Sequence, residues 1–257
     1  MNEENIILIR QKFDDFDQLL EVAPKWNLNF KQLDQGNFCG ELFLVDLGDL
    51  QVSLSSFNRK FDQEGTTPTG YRTFAVLASM DQQIIWRGKQ VSGKNLLVFP
   101  QTNEVDALSY PGFKVYNIAI SIEKMRDFLN VHDLDEEKVF QSNEGIVTPG
   151  NRVVNDIRHQ LEYLTSVVNE NPKGINSRAF YQIFTKEIPS LVLNSVITEK
   201  SIVQPSTLGF RKRTLRKALE YLRSCKNEMP TVAELCLIAG ASQRTIESVS
   251  YTHLTLP

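Results

Sequence analysis

The chain has 257 residues, 41% of them apolar and 23% charged, with a formal net charge of −3. That is enough chain for two domains with cores of their own, in the composition range of globular proteins, and no apolar run approaches membrane-spanning length. The opening MNEENIILIRQKFDDFDQ has neither a basic stretch ahead of an apolar core nor a small-residue cleavage site, so it is no signal peptide and the expected location is the cytoplasm.

Residues 13–23 are expected to form a helix: Asp14 and Asp15 precede Phe16, Leu19, Leu20 and Ala23 at helical spacing, and Pro24 ends it. From Leu28 the period changes to that of strands. Candidates are 38–47, 50–55, 72–78, 83–87, 96–99 and 114–121, separated by turn residues such as Gly48-Asp49, Gly70, Gly88-Lys89 and Ser92-Gly93. In 50–55, Leu50, Val52 and Leu54 alternate with Gln51, Ser53 and Ser55, which predicts one buried face and one polar face. Many short strands at this spacing predict a closed barrel or jelly roll over residues 1–122.

Such a barrel could be catalytic, but the residues for it are missing. A metal site built on imidazoles cannot form there, because His132, His159 and His253 all lie outside residues 1–122. No Ser/His/Asp set can be assembled for the same reason, and no Gly-rich phosphate loop occurs. Glu41, Glu64, Glu104 and Asp106 are expected at the surface, and Cys39, Cys225 and Cys236 suit neither a disulfide framework nor zinc. No metal, no cofactor and no enzyme activity are expected. A small-molecule pocket is the remaining use, with Trp86, Tyr71, Phe74, Phe57, Phe99 and Tyr110 as candidate lining and Arg72 or Arg87 to orient a polar group. Aromatic residues in strands are mostly core, so none of these is assigned singly.

From Ile122 the pattern turns helical, giving a helical linker over 123–205. Helices are expected at 122–129, at 152–169 (stripe Val153, Val154, Ile157, Leu161, Leu164, Val168) and at 178–198 (Ala179, Phe180, Ile183, Phe184, Leu191, Val192). Pro189 is expected to kink or break the last of these, and Asn171-Pro172-Lys173-Gly174 to turn between the long pair as an antiparallel hairpin. Residues 199–209 have linker composition.

Residues 206–248 carry Arg211, Lys212, Arg213, Arg216, Lys217, Arg223, Lys226 and Arg244 against Glu220, Glu228, Glu234 and Glu247, a net +4 that leaves −7 on the rest. An acidic body with a basic end suits a nucleic-acid partner for that end alone. Within it, Thr231 N-caps a short helix, with Glu234 completing a capping box. Gly240 supplies a left-handed corner, and Ser242 caps a second helix. Leu235, Cys236, Ala239, Gly240, Ala241 and Ile246 have the spacing of a helix-turn-helix core, with small residues where two helices must approach closely.

The stretch RKRTLRKALEYLRSCKNEMPTVAELCLIAGASQRTIE, residues 211–247, resembles the DNA-binding domain of AraC-type transcriptional regulators, in the branch that includes the ethanolamine-operon regulator. Weaker likenesses run through the N-terminal region at Asp14-Asp15-Phe16-Asp17, Gln35-Gly36-Asn37-Phe38 and Trp86-Arg87-Gly88. The resemblance implies a multidomain α and β chain: a cupin-like sensor barrel, a helical linker in which two protomers can pair, and an all-α helix-turn-helix domain. Whether the helical stripes make a homodimer or pack on their own barrel is open at this stage. The family has two helix-turn-helix units and only the first is seen here. The last residues, VSYTHLTLP (249–257), continue no pattern of the chain and are similar to a translated sequencing-library adapter, so the recognition helix is expected to be cut short and DNA binding by this chain to be poor.

The implied partners are double-stranded DNA and a small-molecule effector in the barrel, with no membrane. Gln243 and Arg244, at the exposed start of the second helix, are placed to read base edges, Arg being suited to guanine and Gln to adenine. The family positions add Glu247 and Ser248. Arg211, Lys212, Arg213, Arg216 and Lys217 are assigned to phosphates or to domain coupling. The alternative is a cupin-like small-molecule-binding protein or enzyme with an accessory helical domain.

Overall fold

The computed structural model describes residues 6–22, 25–141, 145–197 and Tyr221. In chain order the elements are β1 (Ile7–Phe13), α1 (Phe16–Val22), β2 (Asn27–Gln32), β3 (Gly40–Asp46), β4 (Leu50–Phe57), β5 (Phe61–Thr66), β6 (Tyr71–Leu77), β7 (Gln83–Trp86), β8 (Lys89–Ser92), β9 (Leu96–Val98), β10 (Glu104–Ser109) and β11 (Phe113–Ser121). Then come α2 (Ile122–Val131), α3 (Glu136–Gln141), β12 (Gly145–Val147), α4 (Asn151–Glu170), a 3-10 turn (Pro172–Asn176) and α5 (Arg178–Ile197). The described residues divide into two units, 6–125 with 136–158, and 126–135 with 159 onward.

Among the described residues all twelve strands lie in the first unit, in two antiparallel sheets of order β1-β3-β4-β11-β6-β9-β12 and β2-β5-β10-β7-β8. This is the predicted jelly-roll-like architecture. Strands predicted at 72–78, 83–87, 96–99 and 114–121 are β6, β7, β9 and β11. The first helix is shorter than expected, because Phe13 belongs to β1, where it is buried, and the helix begins at Phe16. The β7–β8 hairpin turns through Arg87 and Gly88, both at positive φ (46° and 73°), the backbone of a two-residue turn that matches strand twist.

The alternation in β4 is real, but its two faces are used otherwise than expected. Gln51 and Ser53 are buried along with Leu50 and Val52. Side chains alternate across a strand, and Ser53, Ser55 and Phe57 line the space between the two sheets. The opposite face of this sheet is covered as well: Arg72 and Phe74 of β6 meet the ring of Phe140 in α3, at 4.4 and 6.3 Å. Helix α4 is tied on by Arg158, which donates through Nε to the carbonyl oxygen of Leu77 at 2.8 Å and through Nη2 to that of Gly93. The outer face of the second sheet, by contrast, carries exposed Glu64, Glu104 and Asp106, as the surface assignment of those carboxylates required; Glu41 of β3 pairs with Lys12 at the surface.

Gly65 is the residue that lets β2 lie against β5. It sits at φ +140°, and a Cβ there would fall 2.0 Å from the carbonyl oxygen of Asn27. Gly70, at φ +82°, has nothing within 4 Å of the equivalent point. Gly70→Ala is therefore expected to cost only the dihedral strain, about 1–3 kcal/mol, and Gly65→Ala that plus displacement of a backbone strand. Thermal unfolding of the two variants checks this, and equal melting temperatures would count against it.

In the second unit a 3-10 turn stands where the Asn-Pro-Lys-Gly run was expected to turn, and the Asn171 side chain caps it by accepting from the Gly174 amide at 3.0 Å. Helix α5 is not broken at Pro189, since it runs on through that residue to Ile197. A buried flank on each side, Phe184 and Ile188 before and Val192 and Val196 after, holds the helix against the loss of one backbone hydrogen bond. No described helix is long and apolar enough to cross a membrane.

Candidate functional site

Between the two sheets lies a cavity of about 80 Å³. Its wall is apolar over most of its area, with Leu42, Leu44, Phe57 and Phe113 on one sheet and Ile84 and Trp86 on the other. Leu19 of α1 and Trp26, just ahead of β2, complete it. Neutral polar side chains interrupt this surface: Ser53 and Ser55 of β4, Asn117 of β11 and Gln63 of β5. Their presence explains the polar face of β4, which looks inward and not to solvent.

Most of these groups are already paired. Asn117 Nδ2 donates to Ser53 Oγ at 3.3 Å, and Gln63 Nε2 donates to Ser109 Oγ at 2.8 Å. The Trp26 indole donates to Gln51 Oε1 at 3.1 Å, and Gln51 Nε2 in turn donates to Asp46 Oδ2 at 3.1 Å. The same carboxylate oxygen holds Lys25 Nζ at 2.6 Å, while Asp46 Oδ1 accepts from the Gly48 amide. Burial works against the charged form of Lys25, but the hydrogen bond and charge of Asp46, helped by Tyr71, outweigh it and hold the ammonium above the ordinary lysine pKa. The chain from Lys25 to Gln51 thus fixes Trp26 in the wall.

Trp86 differs. It is 2% exposed, its ring meets Phe99 edge-on at 4.5 Å, and its Nε1–H has no hydrogen-bond partner among the described residues.

Of the six aromatic residues proposed from sequence, Trp86, Phe57 and Phe99 line the cavity. The other three do not. Phe74 points to the opposite face of its sheet, Tyr71 donates its hydroxyl to the Gly48 carbonyl at 2.8 Å, and Tyr110 is exposed beside Lys60. Neither arginine reaches the cavity, since Arg72 lies over Phe140 and Arg87 forms the β7–β8 turn. Sequence reasoning missed Trp26, Gln63, Ser53, Ser55 and Asn117; the run Ser53-Leu54-Ser55 within an otherwise core-like strand was the available signal.

The residues assigned to DNA lie outside the described part of the chain. These are Gln243, Arg244, Glu247 and Ser248 for bases, Arg211, Lys212, Arg213, Arg216 and Lys217 for phosphates, and the core set Leu235, Cys236, Ala239, Gly240, Ala241 and Ile246. The same holds for residues 249–257.

No protein-family model matches the sequence, and no curated protein matches it. Among solved structures, the crystal structure of the AraC-like transcriptional activator CuxR is similar to 96% of this chain and 89% of its own, at 13% identity and a TM-score of 0.54. The fold is AraC-like. Two ethanolamine utilization proteins Q match over smaller parts: that of Salmonella typhimurium LT2 over 37% of this chain and 97% of its own (10% identity, TM-score 0.25), and that of Clostridium difficile over 44% and 94% (18% identity, TM-score 0.24).

Proposed function

We propose that this chain is a sequence-specific transcription regulator of AraC type whose barrel senses a small molecule. The observation that carries the reading is the extent of the fold likeness: it covers 96% of the chain, far beyond the barrel. The charge layout supports it independently, with +4 gathered in residues 206–248 of an otherwise acidic protein. Within the family, residues 211–247 are most like the ethanolamine-operon-regulator branch. In this reading Gln243 and Arg244, with Glu247 and Ser248 one turn on, face base edges, and the basic run at 211–217 holds phosphates. The helices after residue 122 connect barrel to reader, and pairing of two copies through them sets two readers on one duplex. The barrel binds and does not transform its ligand, a role supported by a cavity wall with no titratable acid or base in it. Ligand acts by preferring one arrangement of the readers over another.

The test is selection of duplexes from a random library by the purified protein. A defined operator should emerge, with log affinity falling against log salt at a slope of about −0.9 per phosphate neutralised. Arg244→Ala is expected to relax the choice at one base position, a loss of about 1–3 kcal/mol of discrimination. Lys212→Ala should weaken all sequences evenly and reduce the salt slope by about one. Affinity that ignores both sequence and salt would sink the reading.

A further inference from the structure

We infer that the barrel takes a small, uncharged molecule whose polar group both donates and accepts a hydrogen bond, as a hydroxyl does, and that Ser53, Ser55 and Asn117 receive that group. This rests on the sensor reading of the barrel and narrows the class of molecule it senses. The cavity wall contains no Asp, Glu, Lys, Arg or His, so a charged ligand would give up its hydration with no countercharge to replace it. The buried carboxylate of Asp46 is not in the wall and is already held by Lys25, Gln51 and the Gly48 amide.

A polar patch lies on one sheet. Ser53 and Ser55 of β4 point the same way as Phe57, at alternate positions, and Asn117 stands opposite Ser53 on the neighbouring β11. One bond joins them, from Asn117 Nδ2 to Ser53 Oγ at 3.3 Å. Among the described residues the Ser55 hydroxyl has no partner, Asn117 Oδ1 accepts nothing, and the Ser53 proton is given to no acceptor. Ser55 Oγ and Asn117 Oδ1 are not sealed within the protein, and the space their side chains line is the cavity. An amide oxygen only accepts, whereas a hydroxyl can also donate, so the patch holds an acceptor at Asn117 beside donors at Ser53 and Ser55. Its complement is a group with a hydrogen to give and a lone pair to offer. Around the patch the wall is apolar, with Leu44, Phe57 and Phe113, which fits a hydrocarbon body.

The experiment uses the full chain and its own fluorescence, because both tryptophans of the sequence, Trp26 and Trp86, line the cavity. The cavity, at about 80 Å³, is smaller than the ~150 Å³ space that takes benzene in an apolar core, so the probes are smaller than benzene. n-Propanol, n-propyl chloride and ethanolamine share one chain length: the chloride lacks the hydroxyl, and ethanolamine carries an ammonium where n-propanol has its methyl. Water holds the alcohol more strongly than the chloride, so a cavity with no free hydrogen-bonding groups binds the chloride tighter. The expected result is saturable binding of n-propanol at least as tight as that of n-propyl chloride, and no change in fluorescence with ethanolamine. In Ser55→Ala, affinity for n-propanol should fall roughly three- to tenfold while n-propyl chloride keeps its own.

Tighter binding of the chloride by the unaltered chain, binding of ethanolamine on a par with n-propanol, or no binding by any of the three overturns the proposal. So does a Ser55→Ala variant that melts cooperatively and keeps its affinity for n-propanol. If that variant does not fold, the comparison of alcohol and chloride in the unaltered chain decides alone. n-Propanol binding that leaves duplex affinity unmoved upholds the ligand class and counts against the regulatory reading instead; selection of an operator by a chain that ignores n-propanol does the reverse.

Discussion

Arg158→Ala is expected to lower the stability of the barrel unit by about 3–5 kcal/mol, the largest effect of any single side chain outside the apolar core. The guanidinium is buried at 5% exposure and spans two carbonyls far apart in sequence, Leu77 at the end of β6 and Gly93 after β8. Alanine would leave both oxygens without this donor in a place water does not reach, and would open space where the side chain packs. Arg158→Lys should recover little, because a single ammonium cannot serve two carbonyls placed for the planar fork. At ~2–4 °C per kcal/mol for a unit of this size, calorimetry should show the barrel melting roughly 6–20 °C lower. A fall of less than about 2 °C would mean that the helix is held by its apolar contacts alone.

Phe57→Ala should cost a similar ~3–5 kcal/mol for a different reason. The Phe57 ring stands at the hub of an aromatic cluster, edge to face with Phe30 at 5.5 Å and Phe61 at 5.7 Å, tilted against Phe38 at 6.0 Å and stacked on Phe113 at 5.9 Å. It also lines the cavity, so its removal enlarges that space. Compounds too large for the native cavity should then bind. p-Xylene is expected to raise the melting temperature of Phe57→Ala and to leave the unaltered protein unchanged, since only a ligand that binds the native state shifts the midpoint. Equal shifts in both would show that the native walls already yield.

Much of this architecture could be read from residue order. Strands with apolar residues at every other position and a glycine or asparagine at the turn, such as β6, β7 and β11, stood out because both their periodicity and their ends are local properties. Strands β5 (FDQEGT) and β10 (EVDALS) did not, because their outer faces are charged and their inner faces offer only Phe61 and Gln63, or Val105, Ala107 and Ser109. What makes them strands is pairing with each other over some 40 residues of chain, and no window of sequence contains that. The cavity shows the same division. Large rings at Phe57, Trp86 and Phe99 were visible candidates, but so were Phe74 and Tyr71, and period-2 alternation says that two faces exist without saying which is inward. Ser53 and Asn117 were passed over because a polar residue in a strand ordinarily meets solvent; here the other face of the sheet is also covered.

The position of β11 has a consequence for how the molecule comes into being. It lies between β4 and β6 at the middle of the larger sheet, paired residue for residue from Phe113 against Phe57 to Ile120 against Leu50. During synthesis the ribosome finishes β4 and then needs about 3–11 s, at ~5–20 residues per second, to deliver the strand that completes its pairing. Until then Leu50, Val52 and Leu54 have no neighbour on that side. The nascent barrel therefore spends those seconds with a greasy open flank, and closure depends on a late-arriving strand whose partners are waiting on both sides.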